Sequence, residues 1–174
     1  MPLILSRTRL LHVSKSKVAL VRNWEEGVSL ERDAARTVSE LLCVVAADRL
    51  RLGVDHRRQA DHLMTLSPPL YRSSVSRYYY AMYHVMRACT FIFHRGDDYE
   101  DHRELPKNLP TDFDRGVNWQ NKLKDARTIR NSADYDPYPK ADTAWRKPAL
   151  MLKSDVDRLL PVARTYLRSK GCIL

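Results

Sequence analysis

Residues 75–93 read VSRYYYAMYHVMRACTFIF, and their periodicity decides the class of fold. Val75, Tyr78, Tyr79, Met82, Met86, Cys89 and Phe93 recur at the spacing of one helical stripe. Arg77, Ala81, His84 and Ala88 make a second. A helix with two occupied faces sits in the middle of a bundle or at an oligomer interface. Its predicted bounds are Pro69 to His94, with Pro68 and Pro69 where prolines suit a helix start.

Reading outward, the other strong periodicities are also helical. Downstream, a turn-rich stretch from Gly96 to Asp114 carries Pro106 and Pro110 and reads as a loop with a short helix near His102 to Lys107. A helix from Arg115 to Tyr135 turns Trp119, Leu123, Ala126, Ile129 and Ala133 inward, and Pro137 stops it. The last helix, Asp142 to Ser169, carries Trp145, Ala149, Leu152, Val156, Leu159, Ala163 and Tyr166 on one face, with Pro148 and Pro161 expected to kink or divide it. Upstream, Ser29 reads as the N-cap of a helix to Arg51 with Leu30, Ala34, Val38, Leu41, Val45 and Leu52 at helical spacing. Gly53 is its expected stop, and Val54 to Ser67 a polar connection. The expected fold is all-α, an up-and-down bundle of four to five helices over residues 29–170. Residues 1–28 form an extension in which Leu10–Val13 and Val18–Val21 flank a Ser-Lys-Ser-Lys segment, read as a hairpin or an extra helix.

Composition narrows the function. The 174 residues suit one domain, and a hydrophobic content of 44% with 29% charged residues argues against disorder. The net charge of +9 attracts polyanions, with nucleic acid the natural candidate. No apolar run reaches the roughly 18 residues that cross a bilayer, and the N-terminus lacks a signal-peptide pattern, so the simplest placement is the cytoplasm. Cys43, Cys89 and Cys172 are odd in number and widely spaced, and the expected state is three reduced thiols. No phosphate-binding glycine loop, nucleophile elbow or paired-cysteine motif occurs. His56, Asp61 and His62 lack a compact ligand spacing, so neither a metal nor another cofactor is expected.

Residues 130–138, RNSADYDPY, gather a guanidinium, an amide, carboxylates and phenols at a helix end. Arg130 and Asp134 share one face, Asn131 and Tyr135 the neighbouring one. Such a cluster is either a solvated helix end or a site that handles phosphate. Arg130 also borders the inward stripe, where a guanidinium must find a partner or line a cleft.

Two segments resemble the HEPN domains, helical bundles found in prokaryotic ribonuclease toxins and defence proteins. Residues 76–88, SRYYYAMYHVMRA, are similar to the Tyr-Tyr-Ala-Met-Phe-His helix of small stand-alone members, and residues 127–136, RTIRNSADYD, to their Arg-x-x-Ala-Asp-Tyr ending. His102 followed by Phe113 resembles the His-containing stretch between those helices. The resemblance spans about Leu30 to Leu167. It implies a homodimer whose Arg-containing helices form a basic cleft, and a metal-independent cleavage in which the RNA 2′-hydroxyl attacks the adjacent phosphate. In that reaction Arg stabilises charge and His moves protons.

Arg130 and Asn131 occupy the first two positions of the implied signature, and Tyr135 stands where His is expected. A free phenol titrates near 10 and an imidazole near 6.5, so His84 and His102 are the substitute bases. Arg77, Tyr80, Arg127 and Asp134 complete the expected RNA-contacting set, with the tyrosines available to stack on bases. The resemblance implies membership of a toxin–antitoxin or antiphage system. It also supplies alternatives: a nuclease-inactive adaptor that binds a partner protein such as a nucleotidyltransferase, a nucleotide or RNA without cleaving it; an antitoxin partner; and modification of Tyr135 or Tyr138 by a nucleotidyltransferase.

Overall fold

The computed structural model describes residues 7–174, with side chains from Leu10 onward. Six α-helices follow in order: α1 Arg7–Ser14, α2 Val18–Ala34, α3 Val38–Thr65, α4 Tyr71–His94, α5 Gly116–Tyr135 and α6 Arg146–Ser169. One-turn 3-10 segments at Leu105–Asn108 and Asp142–Trp145 precede α5 and α6 respectively. No strand occurs among the described residues, so the all-helical expectation is borne out. The chain divides into two compact units, residues up to Leu41 and Leu42 to Leu174.

In the first unit the extension is helical rather than a hairpin. The imidazole of His12 lies 5.6 Å from the ring of Trp24. No residue of α2 is buried, and Val18, Val28 and Leu30 stand exposed on it. Ser29 does not begin a helix here. It lies inside α2, which ends at Ala35 in the left-handed region (φ 50°), where the amides of Ala35 and Arg36 return to the carbonyls of Arg32 and Glu31. The next helix starts on a reciprocal capping box. The Glu40 amide donates to Thr37 Oγ1 at 3.2 Å, and the Thr37 amide donates to Glu40 Oε2 at 2.7 Å. These bonds hold the Glu40 carboxyl below its usual range, the Thr37 backbone contributing most.

In the second unit, α4 takes the central place its two stripes predict, packed against both α5 and α6. Val75, Tyr78, Tyr79, Met82, Val85, Met86 and Cys89 are fully buried beside Leu123 and Ala126 of α5 and Leu152, Val156, Leu159 and Ala163 of α6. Gly53 is not a stop, and the expected polar connection is helical through Thr65. The physical reason lies in the packing: a Cβ on Gly53 would sit 2.7 Å from Val85 Cγ2 and 3.0 Å from the Ala81 carbonyl. Only a missing side chain lets α3 approach α4 this closely. The stripe predicted from Leu30 to Leu52 consequently fails, since Leu30, Val45 and Leu52 are exposed while Ala46, Leu50 and Ala60 are buried.

Two contacts fix the ends that matter for the site. The Asp142 carboxylate accepts from the free amides of Tyr71 (2.6 Å) and Arg72 (3.1 Å), capping α4 from outside its own sequence. Arg72 in turn donates to the carbonyls of Ala133 (2.5 Å) and Asp136, bracing the C-terminal turn of α5, while its guanidinium lies 5.3 Å from the Trp145 ring. Pro161 lies inside α6, whose helix continues to Ser169, and Pro148 falls in its first turn, where no intrahelical donor is lost.

Candidate functional site

The third and fourth turns of α4 present Tyr79, Tyr80 and Tyr83 toward α5 and the loop that carries His102. Arg130 comes from the inward edge of α5, and its guanidinium stands 4.9 Å from the Tyr79 ring centre and 5.4 Å from that of Tyr80. The residue is 7% exposed. A guanidinium is tolerated there because two aromatic faces and one carboxylate receive it: Asp134 lies 3.5 Å away, one turn along. Asp134 is shared, since it also accepts from the Ser76 hydroxyl of α4. Arg130 Nε is buried without a hydrogen-bond partner.

His102 completes this group. Its Nδ1 is 2.6 Å from the Tyr79 hydroxyl, its ring lies 4.2 Å from that of Tyr83, and its carbonyl accepts from Arg127 at 3.0 Å. Arg127 and Arg130 on α5 thus border one imidazole. Burial, helped by the neighbouring Arg130 charge, pushes the His102 pKa below its ordinary value, so the ring is neutral near pH 7. Burial raises Tyr79 to about 12 against the opposing pull of Arg130, so its hydroxyl keeps its proton. That hydroxyl can donate to Nδ1 or accept from it, according to the tautomer assigned. Either way, no hydrogen bond reaches His102 Nε2 among the described residues.

His84 sits differently. It stacks on His56 with ring centres 5.2 Å apart and planes 3° apart, and meets Tyr83 edge-on at 5.0 Å. Nδ1 of both His84 and His56 is buried without a partner. Burial, followed by the neighbouring His56, lowers His84 to about 4, and burial followed by Arg77 lowers His56. A base that weak takes little proton near neutrality, so His102 is the better equipped of the two imidazoles. Tyr80 stacks on His56 at 5.6 Å and so joins this group to Arg130. His56 is the member that sequence reasoning set aside, because its partner His84 lies 28 positions away and no local spacing links them.

The remaining expected residues separate by exposure. Arg127 is half-buried; Arg77 and Asn131 are exposed. Tyr135 is 75% exposed and Tyr138 66%, the latter with Lys140 Nζ 5.6 Å from its ring. Behind the aromatic group, Arg87 donates from Nε to Asp97 (2.9 Å) and also engages Glu100 (2.9 Å), and Arg49 pairs with Asp97 at 2.7 Å. Those two arginines are neutralised, whereas Arg130 shares a single half-engaged carboxylate. Of the residues weighed for a metal, Asp61 is taken by Tyr78 (2.6 Å), Arg57 (3.3 Å) and Lys153 (3.6 Å), and His62 is exposed. No helix among the described residues is long and apolar enough to cross a membrane. Comparison with known proteins finds no family model, no characterised relative and no solved structure that matches the chain.

Proposed function

We propose that this chain is a HEPN-like protein that binds RNA at the Arg130 pocket and cleaves it without a metal. One observation supports the reading: Arg130 and the neutral imidazole of His102 meet the same phenol, Tyr79, the guanidinium over its ring and the imidazole at its hydroxyl. A phosphate drawn to Arg130 would displace Asp134, whose second partner Ser76 keeps it nearby. With Nδ1–H donating to the Tyr79 hydroxyl oxygen, His102 Nε2 takes the proton of the attacking 2′-hydroxyl, and the imidazolium so formed returns a proton to the departing 5′-oxygen. Arg130 meets the growing negative charge on the phosphoryl oxygens. The products are a 2′,3′-cyclic phosphate and a free 5′-hydroxyl. Tyr80, half-buried beside Arg130, is the stacking surface for a base. The resemblance adds a cytoplasmic homodimer within a toxin–antitoxin or antiphage system.

Purified protein incubated with RNA in chelator tests the proposal. Cleavage ending in cyclic phosphate is expected from the wild type and not from Arg130→Ala. Equal cleavage by both, or none from either with a cognate partner present, defeats it. A second reading has its own support. Tyr135, at the position where the family's His is expected, and Tyr138, three residues on, both stand exposed, which suits a chain whose phenols are modified by a nucleotidyltransferase. Salt-sensitive RNA binding with no cyclic-phosphate product, and added mass on Tyr135 or Tyr138 after co-expression with such a partner, would favour that reading.

A further inference from the structure

Two of the three cysteines meet in the second unit, away in sequence from Arg130 and His102. Cys43 lies in the second turn of α3, and Cys172 lies just past the end of α6. Their approach is built by a helix cap. Gly171 adopts φ +86°, its amide donates to the Arg168 carbonyl at 2.9 Å, and the Cys172 amide donates to the Leu167 carbonyl at 3.1 Å. These are the paired bonds of a Schellman motif, which turns the chain back over its own helix. Cys172 is thereby buried, 4% exposed, and its Sγ comes to 2.8 Å from Cys43 Sγ. Cys43 Sγ also lies 3.9 Å from the Lys170 carbonyl. Cys43 is half-buried and within reach of solvent, while Cys89 is fully enclosed on α4.

We propose that Cys43 and Cys172 form a reversible intramolecular disulfide, a modification site independent of the reading given for Arg130. The sulfurs already touch, and a bond requires them to close to about 2.05 Å. The oxidant is a low-molecular-weight disulfide such as oxidised glutathione. Cys43, as the accessible thiolate, attacks one of its sulfurs, breaking the external S–S bond and releasing one glutathione thiolate. Cys172 then gives its proton to that thiolate and attacks Cys43 Sγ, forming the protein disulfide and releasing the second glutathione. Two protein thiols are oxidised and one external disulfide is reduced to two thiols. Burial, with the Cys43 contact second, raises the Cys172 thiol to about 12, which makes it the resolving partner rather than the first nucleophile.

Full-length protein is equilibrated with oxidised glutathione, quenched in acid, alkylated under denaturing conditions that expose Cys89, and read by intact mass and peptide mapping. The wild type is expected to lose two hydrogens, keep one alkylatable thiol at Cys89, and return to three thiols on reduction. Cys172→Ser is expected to stop with glutathione on Cys43. The oxidised wild type should also melt several degrees higher than the reduced form, a shift absent from Cys43→Ser and Cys172→Ser. Three alkylatable thiols after oxidation, a wild type that stops at the Cys43 adduct, or linkage only between molecules overturns the proposal.

Discussion

Arg130 and Tyr135 stand five residues apart on the same helix, yet one is 7% exposed and the other 75%. Around Arg130 other elements close in: α4 supplies Tyr79 and Tyr80, and the loop supplies His102. Beyond Arg130, Asn131, Tyr135 and Asp136 stand in solvent, while Ala133 is buried and Asp134 reaches back to Ser76 and Arg130. The contrast teaches that density of charge along a helix end says little about chemistry. What raises Arg130 above its neighbours is a partly compensated charge in a desolvated aromatic setting, where electrostatic interactions are stronger than at the surface.

The sharpest way to break this contrast is at its buried side. Arg130→Ala is expected to reduce RNA cleavage by about 100-fold or more, the usual scale for removing one donor from a charge-stabilising site. Parallel loss of phosphate-backbone affinity, measured as a shallower salt dependence, would accompany it. Gly53→Val forces a branched side chain against Val85 and the Ala81 carbonyl, and overpacking of this kind costs about 1–3 kcal/mol in denaturant melts. Asp142→Ala removes the carboxylate from the two leading amides of α4, for about 1 kcal/mol in the same assay.

Smaller effects come from protons. His84 titrates near 4 in the folded protein and at the ordinary imidazole value near 6.5 when unfolded. The unfolded chain therefore takes a proton that the native one declines, and stability falls as pH drops through 6.5, levelling off near 4. His56 and His102, lowered in the same direction, add to this loss. Melting at pH 7 and pH 5 should show a smaller drop for His84→Gln than for the wild type. At the exposed end, Tyr135→Phe is expected to change stability by less than about 0.5 kcal/mol and cleavage hardly at all. A large loss of cleavage there would reverse the comparison.

The inward faces of α4, α5 and α6 were legible in the sequence because each carries a long stripe of one period. Trp119, Leu123, Ala126, Leu152, Val156 and Ala163 all fall where that period places them. The α2–α3 region was not legible in the same way. Leu30, Val38 and Val45 imitate a stripe across what is in fact a break at Ala35. The Thr37–Glu40 box was the signal that could have located the break, outweighing Ser29 as a start. Gly53 misled because a glycine that ends a helix and one that admits a neighbour look alike until the neighbour is known. At the site, Arg130, Tyr80 and His102 could be named from sequence. The Tyr79–His102 bond and the His56–His84 stack could not, because they join segments that only folding brings together.

The brace supplied by Arg72 bears on how this protein can drift over generations. Its guanidinium grips backbone carbonyls at Ala133 and Asp136 rather than side chains. Every residue presents a carbonyl, so the last turn of α5 holds its position whatever amino acids it carries. Substituting the exposed Asn131, Tyr135 or Asp136 is accordingly expected to leave Arg130 seated against Tyr79 and Tyr80. Variation among relatives should concentrate at those outward positions and spare Arg72, a residue that no functional motif would single out.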